Sequence, residues 1–141
     1  MTDASDLTGA RVLVVEDEML VSLLIEDVLN SSNCIVVGPY DRVPDALEAA
    51  RSLELDAAVL DVNVAGKKVY PVAEILSLRG VPFLLLSGYG AGAVPANRAQ
   101  WKVCSKPFKT EQLLAMLSEQ VASARKRSAS FKVLSSPGTP D

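Results

Sequence analysis

The chain has 141 residues, 49% of them hydrophobic and 22% charged, enough for one ordinary domain whose core needs no disulfide or structural metal, and unlike disordered or fibrous sequences. A net charge of −3 opposes nonspecific attraction to a polyanion. With no histidine and two cysteines, His-based triads, His metal sites, His phosphocarriers, four-ligand zinc sites and disulfide frameworks are excluded, leaving carboxylates, hydroxyls, lysines and two thiols for any chemistry.

The start, Met1-Thr2-Asp3-Ala4-Ser5-Asp6, is acidic where a secretory signal is basic and then apolar. Residues 1–9 are expected to be a flexible lead-in, 10–126 the domain and 127–141 a disordered tail. Arg11-Val12-Leu13-Val14-Val15 predicts a strand ending in Glu16-Asp17-Glu18. A helix follows from Met19 to Asn30, with Leu20, Leu24 and Val28 on one apolar stripe. Cys34-Ile35-Val36-Val37 predicts a second strand, stopped by Gly38-Pro39. Pro44 to Leu53 predicts a helix with Ala46, Leu47 and Ala50 inward and Pro44 in its first turn. Ala57-Ala58-Val59-Leu60 predicts a third strand running into Asp61. Pro71 to Arg79 predicts a helix with Val72, Ile75 and Leu76 on its apolar side, stopped by Gly80.

Val81 to Leu86 is apolar throughout, as in a strand buried on both faces. Glycines and Pro95 limit Gly88–Gln100 to two helical turns at most. The uncharged stretch Gly80–Asn97 is broken by Pro82, Gly88, Gly90, Gly92 and Pro95, so no membrane span is expected and the chain reads as cytoplasmic. Trp101 to Cys104 predicts a fifth strand. Lys109 to about Arg125 predicts the last helix, with Leu113, Leu117 and Val121 in register; from Ser128 the composition predicts disorder. Arg125-Lys126-Arg127 suits a solvated helix end, and no nucleic-acid role is expected of it.

Strands alternating with helices imply right-handed βαβ units and a parallel sheet covered on both faces. Ligands of such sheets sit beyond the carboxyl ends of the strands. The polar residues there are Glu16, Asp17, Asp61, Ser87 and Lys106. Each has a bland reading: Glu16-Asp17 as a helix start, Asp61 as a solvated strand end, Ser87 as a turn residue, Lys106 as a surface lysine. Together they suit one reaction. Clustered carboxylates need a cation, and Mg²⁺ takes carboxylate, water and phosphate oxygens. Asp61 can act as a nucleophile towards a phosphoryl group, with Mg²⁺, the Lys106 ammonium and the Ser87 hydroxyl around the phosphoryl oxygens.

Val14-Val15-Glu16-Asp17-Glu18, Val59-Leu60-Asp61-Val62-Asn63, Leu85-Leu86-Ser87-Gly88 and Ser105-Lys106-Pro107-Phe108 resemble, in order and spacing, the receiver domain of bacterial two-component response regulators, over roughly Ala10 to Ala124. The resemblance implies a flavodoxin-like (CheY-like), doubly wound α/β fold with a five-stranded parallel sheet of order 2-1-3-4-5 and a short or irregular fourth helix. It implies that Glu16, Asp17, Asp61 and the backbone carbonyl of Asn63 hold Mg²⁺. Asp61 would take phosphate from a sensor histidine kinase or a histidine phosphotransfer protein, and Ser87 and Lys106 would stabilise it. It also implies output by docking to a downstream protein through the fourth helix, fifth strand and last helix, as a monomer or weak homodimer in a phosphorelay. The short polar tail is expected to carry no output domain, so the chain resembles the single-domain, stand-alone type.

Three features depart from the family. Val103 stands where it usually has an aromatic switch residue, and Tyr89 is the candidate replacement, the alternative being a loop cap. Asn63-Val64-Ala65-Gly66-Lys67 stands where a Met-Pro pair commonly follows the phosphoacceptor. The fourth helix is glycine-rich, with Trp101 beside it either on the output surface or in the core. A haloacid-dehalogenase-type phosphatase is the rival enzyme, opposed by the early position of Glu16-Asp17 and by Asn63 where a second Asp is wanted. An unphosphorylated docking module is the third reading, opposed by the full acidic set. The predicted strand order places Cys34 and Cys104 at opposite edges as free thiols.

Overall fold

The computed structural model describes residues 6–88 and 94–135. In chain order the elements are β1 (Arg11–Val15), α1 (Met19–Ser31), β2 (Ile35–Tyr40), α2 (Val43–Ser52), β3 (Ala57–Asp61), a hairpin of β4 (Asn63–Val64) and β5 (Lys67–Lys68), α3 (Tyr70–Leu78), β6 (Phe83–Ser87), one 3-10 turn (Ala96–Arg98), β7 (Val103–Ser105) and α4 (Thr110–Ser135). The main sheet is parallel, in the order β2-β1-β3-β6-β7. With the hairpin set aside this is the expected 2-1-3-4-5. Two apolar layers sandwich it, because successive strand residues point to opposite faces. Leu13, Leu60 and Leu85 meet α2 and α3 on one side, while Val12, Val59 and Leu84 meet α1 and α4 on the other. Cys34 and Cys104 are free, buried and at opposite ends of the strand order, as expected.

Four local expectations are corrected. Gly38-Pro39 does not stop β2, which runs on to Tyr40 through a register shift against β1 between Leu13 and Val15. β2 is an edge strand, where a proline withdraws no needed ladder donor and a bulge absorbs the extra residue. Gly38 has φ +106°, and a Cβ there would stand 3.0 Å from the Val14 carbonyl oxygen and 2.9 Å from the Tyr40 nitrogen. Gly38→Ala is therefore expected to lower stability by about 2 kcal/mol in chemical denaturation.

In α1 the buried residues are Ser22, Ile25 and Leu29; of the expected stripe Val28 packs partly buried against the core, while Leu20 and Leu24 are exposed. Leu20 is 81% exposed, with Met19, Leu23 and Leu24 beside it. Apolar residues lie on several sides of the helix, so periodicity alone leaves its rotation open, and the packing of Ile25 and Leu29 into the core sets it. Residues 128–135 also depart from expectation. Instead of a disordered tail from Ser128, α4 continues to Ser135, with no proline or glycine before Pro137 to interrupt it. Before β1, Leu7 is buried rather than part of a flexible lead-in, Gly9 donates its N–H to the Asn33 carbonyl at 2.8 Å, and Arg125 donates to the Asp6 carbonyl at 2.8 Å. Among the described residues, no helix is long and apolar enough to cross a membrane.

A compact plug stands in the region of the expected fourth helix. The 3-10 turn puts the Arg98 guanidinium on Glu74 of α3 through two bonds of 2.8 and 2.9 Å, and over the Trp101 ring at 5.6 Å from its centroid. Trp101 lies in the core, 7% exposed, against Phe83 at a ring separation of 5.4 Å and Tyr70 at 6.3 Å. This decides between its two expected places, and β7 begins only at Val103.

Candidate functional site

Parallel pairing aligns the carboxyl ends of the strands, and the polar residues that close them gather along one edge. Glu16 and Asp17 follow β1, Asp61 ends β3, Ser87 ends β6 and Lys106 follows β7. The register fixes them: Asp61 pairs with Leu86, Ser87 pairs with Ser105, and the Lys106 N–H donates to the Ser87 carbonyl at 2.8 Å. Carboxylate oxygens of Glu16, Asp17 and Asp61 all lie within 4.8 Å of one another. Asp61 and Ser87 are 6% and 2% exposed, whereas Asp17 opens to solvent. The expected constellation therefore forms at one place. Asn63 stands two residues beyond Asp61 at the root of the hairpin, paired with Lys68. Tyr89, the candidate switch, lies outside the described residues.

Lys106 is the cation of the cluster. Its Nζ stands 3.3 Å from Asp61 Oδ1, 3.4 Å from Glu16 Oε1 and 3.6 Å from Glu18 Oε1. Burial opposes its charge, but Asp61 and Glu16 outweigh that and hold its pKa above the ordinary lysine value. Burial pushes the Glu16 carboxyl up from 4.5 to about 7, with Asp61 adding to the rise and the Glu18 N–H working against it. Oε2 of Glu16 accepts that N–H at 3.1 Å, while the enclosed Oε1 has no hydrogen-bond donor and only the ion pair to Lys106. An enclosed, undonated carboxylate oxygen beside two further carboxylates fits a hard cation, which takes such oxygens as ligands.

Two contacts escaped the sequence analysis. Glu18 reaches Lys106, for which its place in the acidic run was the only signal. The Ala65 N–H donates to Asp17 Oδ2 at 2.9 Å from the hairpin turn; the two-residue Ala-Gly loop was a weak hairpin signal. Beside the site, Val21 and Leu24 of α1 with Lys106, Pro107 and Phe108 line a hollow of about 330 Å³.

No protein-family model matches the chain. The transcriptional regulatory protein PdtaR of Mycobacterium tuberculosis is 26% identical over 134 residues, covering 91% of this chain, which spans 64% of PdtaR's length. The receiver domain of the sensor histidine kinase PA1611 from Pseudomonas aeruginosa, solved with a magnesium ion in its active-site cleft, matches in fold with a TM-score of 0.66 at 24% identity, covering 81% of this chain and 98% of that one. The solution structure of SdrG from Sphingomonas melonis superposes with a TM-score of 0.70 at 34% identity, covering 80% of this chain and 96% of SdrG. The chain belongs to the receiver domains of response regulators. In this receiver domain the edge that gathers the carboxylates is the one at which the general rule for open parallel sheets places a ligand.

Proposed function

We propose that the chain is a phosphorelay response regulator that accepts a phosphoryl group on Asp61 and signals by docking to another protein. The observation that carries this reading is the Lys106 ammonium at 3.3 Å from Asp61, beside the three-carboxylate cluster. Glu16, Asp17, Asp61 and the Asn63 carbonyl would hold Mg²⁺, which supplies positive charge to the phosphoryl oxygens. A carboxylate oxygen of Asp61 forms a bond to phosphorus as the bond to the donor nitrogen or oxygen breaks, and the leaving group departs with that electron pair. Lys106 offsets charge on the transferred group, and the Ser87 hydroxyl donates to one of its oxygens.

The donor is a phosphohistidine on a sensor histidine kinase or phosphotransfer protein. Its approach suits the outward face of α1, where Met19, Leu20, Leu23 and Leu24 form an apolar surface leading to the hollow that Lys106 lines. The downstream protein would dock on the face of the 3-10 turn, β7 and α4. Since Trp101 is committed to the core, that contact falls to exposed neighbours such as Gln100 and Lys102.

Intact mass after incubation with acetyl phosphate and Mg²⁺ tests the reading. The native protein should gain one labile phosphoryl group and the Asp61→Asn protein none. Labelling of the variant, or sustained turnover of p-nitrophenyl phosphate by the native protein, would refute it.

A further inference from the structure

The segment after Asp61, where the family commonly has a Met-Pro pair, is built as a hairpin with its own structural logic. Asn63 pairs with Lys68 and Val64 with Lys67, across a two-residue turn in which Ala65 has φ +50° and Gly66 φ +81°. Positive φ at both central residues is the signature of the tight turn that matches strand twist. The hairpin is rooted rather than loose: Val62, Val64 and Val69 are buried in the core, and the Val69 N–H donates to the Val62 carbonyl at 2.9 Å. Its tip delivers the Ala65 N–H to Asp17 Oδ2 at 2.9 Å.

Asp17 is the exposed member of the three carboxylates. Like charges within 4.8 Å repel, so a solvated carboxylate with free rotamers would swing away from Glu16 and Asp61 into water. The hydrogen bond to one oxygen holds the side chain in the cluster and leaves its other oxygen for a ligand. A bond from a rooted element to a metal-ligating carboxylate tunes affinity without touching the ion.

We infer that the β4–β5 hairpin is a positioning element for the cation site, with the Ala65 N–H holding Asp17 ready for Mg²⁺. This rests on the phosphoacceptor reading of the site. The turn pays for that position with a left-handed alanine, a conformation that asparagine or glycine adopts more readily.

The test is titration of the full chain with MgCl₂ by calorimetry after chelator treatment, with thermal unfolding in chelator measured alongside. Ala65→Pro lacks the N–H and cannot adopt φ +50°; it is expected to weaken Mg²⁺ binding at least ten-fold. Ala65→Asn and Ala65→Gly keep the donor in an easier conformation and should bind within about two-fold of native. Gly66→Val strains the turn at φ +81°, where a Cβ would meet no neighbour within 4 Å, so it loosens the hairpin without crowding it and decides the question should Ala65→Pro fail to fold. Its binding should fall several-fold, with a loss of about 1–2 kcal/mol in chelator from the strained turn and unfolding still cooperative. Native affinity in the folded proline and valine variants would overturn the inference and leave the phosphoacceptor reading intact. A native protein that binds no Mg²⁺ would overturn both.

Discussion

Lys106→Met is expected to remove about 2–3 kcal/mol of stability at pH 8 and to abolish phosphoryl labelling from acetyl phosphate. Its ammonium faces Asp61 at 3.3 Å and Glu16 at 3.4 Å, and the Glu16 side chain has 0% of its surface in contact with water. Deleting one partner of an enclosed ion pair leaves the other charge without compensation, and that is where the loss arises. The figure sits below the range for fully buried pairs because Lys106 keeps 21% of its side-chain surface exposed. Glu16 has an escape: it can take up a proton. At pH 6 it is already largely protonated, so the same substitution should then destabilise less. Urea unfolding of both proteins at the two pH values gives the comparison. Equal stability of variant and native protein at pH 8 would show that the amine and carboxylates are not coupled, and the electrostatic account of the site would fail.

Metal-free protein is expected to lose stability as pH rises from about 4.5 to about 7, and Mg²⁺ to restore it at pH 8. The folded state holds the Glu16 proton with a pKa of about 7 against an ordinary 4.5. Between those values the folded state binds more protons than the unfolded one, so unfolding free energy falls as pH increases and levels off above the folded pKa. The full span amounts to at most roughly 3 kcal/mol. Other carboxylates titrate at the acid end, so the contrast that isolates Glu16 is the slope in chelator of native against Glu16→Gln, which should lack this decline. At pH 8, Mg²⁺ at a hundred times its dissociation constant should add about 2.7 kcal/mol. The gain should shrink towards pH 6, where the ion must displace the Glu16 proton. A pH-independent magnesium effect would contradict the assignment of Glu16 as a ligand.

These expectations depend on residues with different legibility in the sequence. Glu16, Asp17, Asp61, Ser87 and Lys106 could be found because each closes or follows an apolar run, and a parallel sheet brings such ends to one edge. Leu20 and Leu24 could not be placed correctly. A helix with apolar residues on several sides offers more than one stripe, and the packing of Ile25 and Leu29 against β1 and α4 chose among them. The plug at Arg98, Glu74 and Trp101 depends on a contact between ion-pair partners 24 positions apart in the chain, which no local pattern encodes. Gly38-Pro39 misled because local chemistry says stop, while an edge position tolerates a bulge.

The amino-acid order by itself determined the alternation of strands and helices, and with it a parallel sheet sandwiched between helices and the edge at which the charged residues meet, while the strand order came from the resemblance of its motifs to receiver domains. Apolar periodicity and the handedness of βαβ connections act locally and leave few arrangements. Only the tertiary structure decided how far the carboxylates stand apart, that the Ala65 amide grips Asp17, that Trp101 turns inward and that α1 shows leucines to solvent. Those outcomes follow from packing and electrostatic balance between segments distant in the chain, where each contact exists only once all the others have formed.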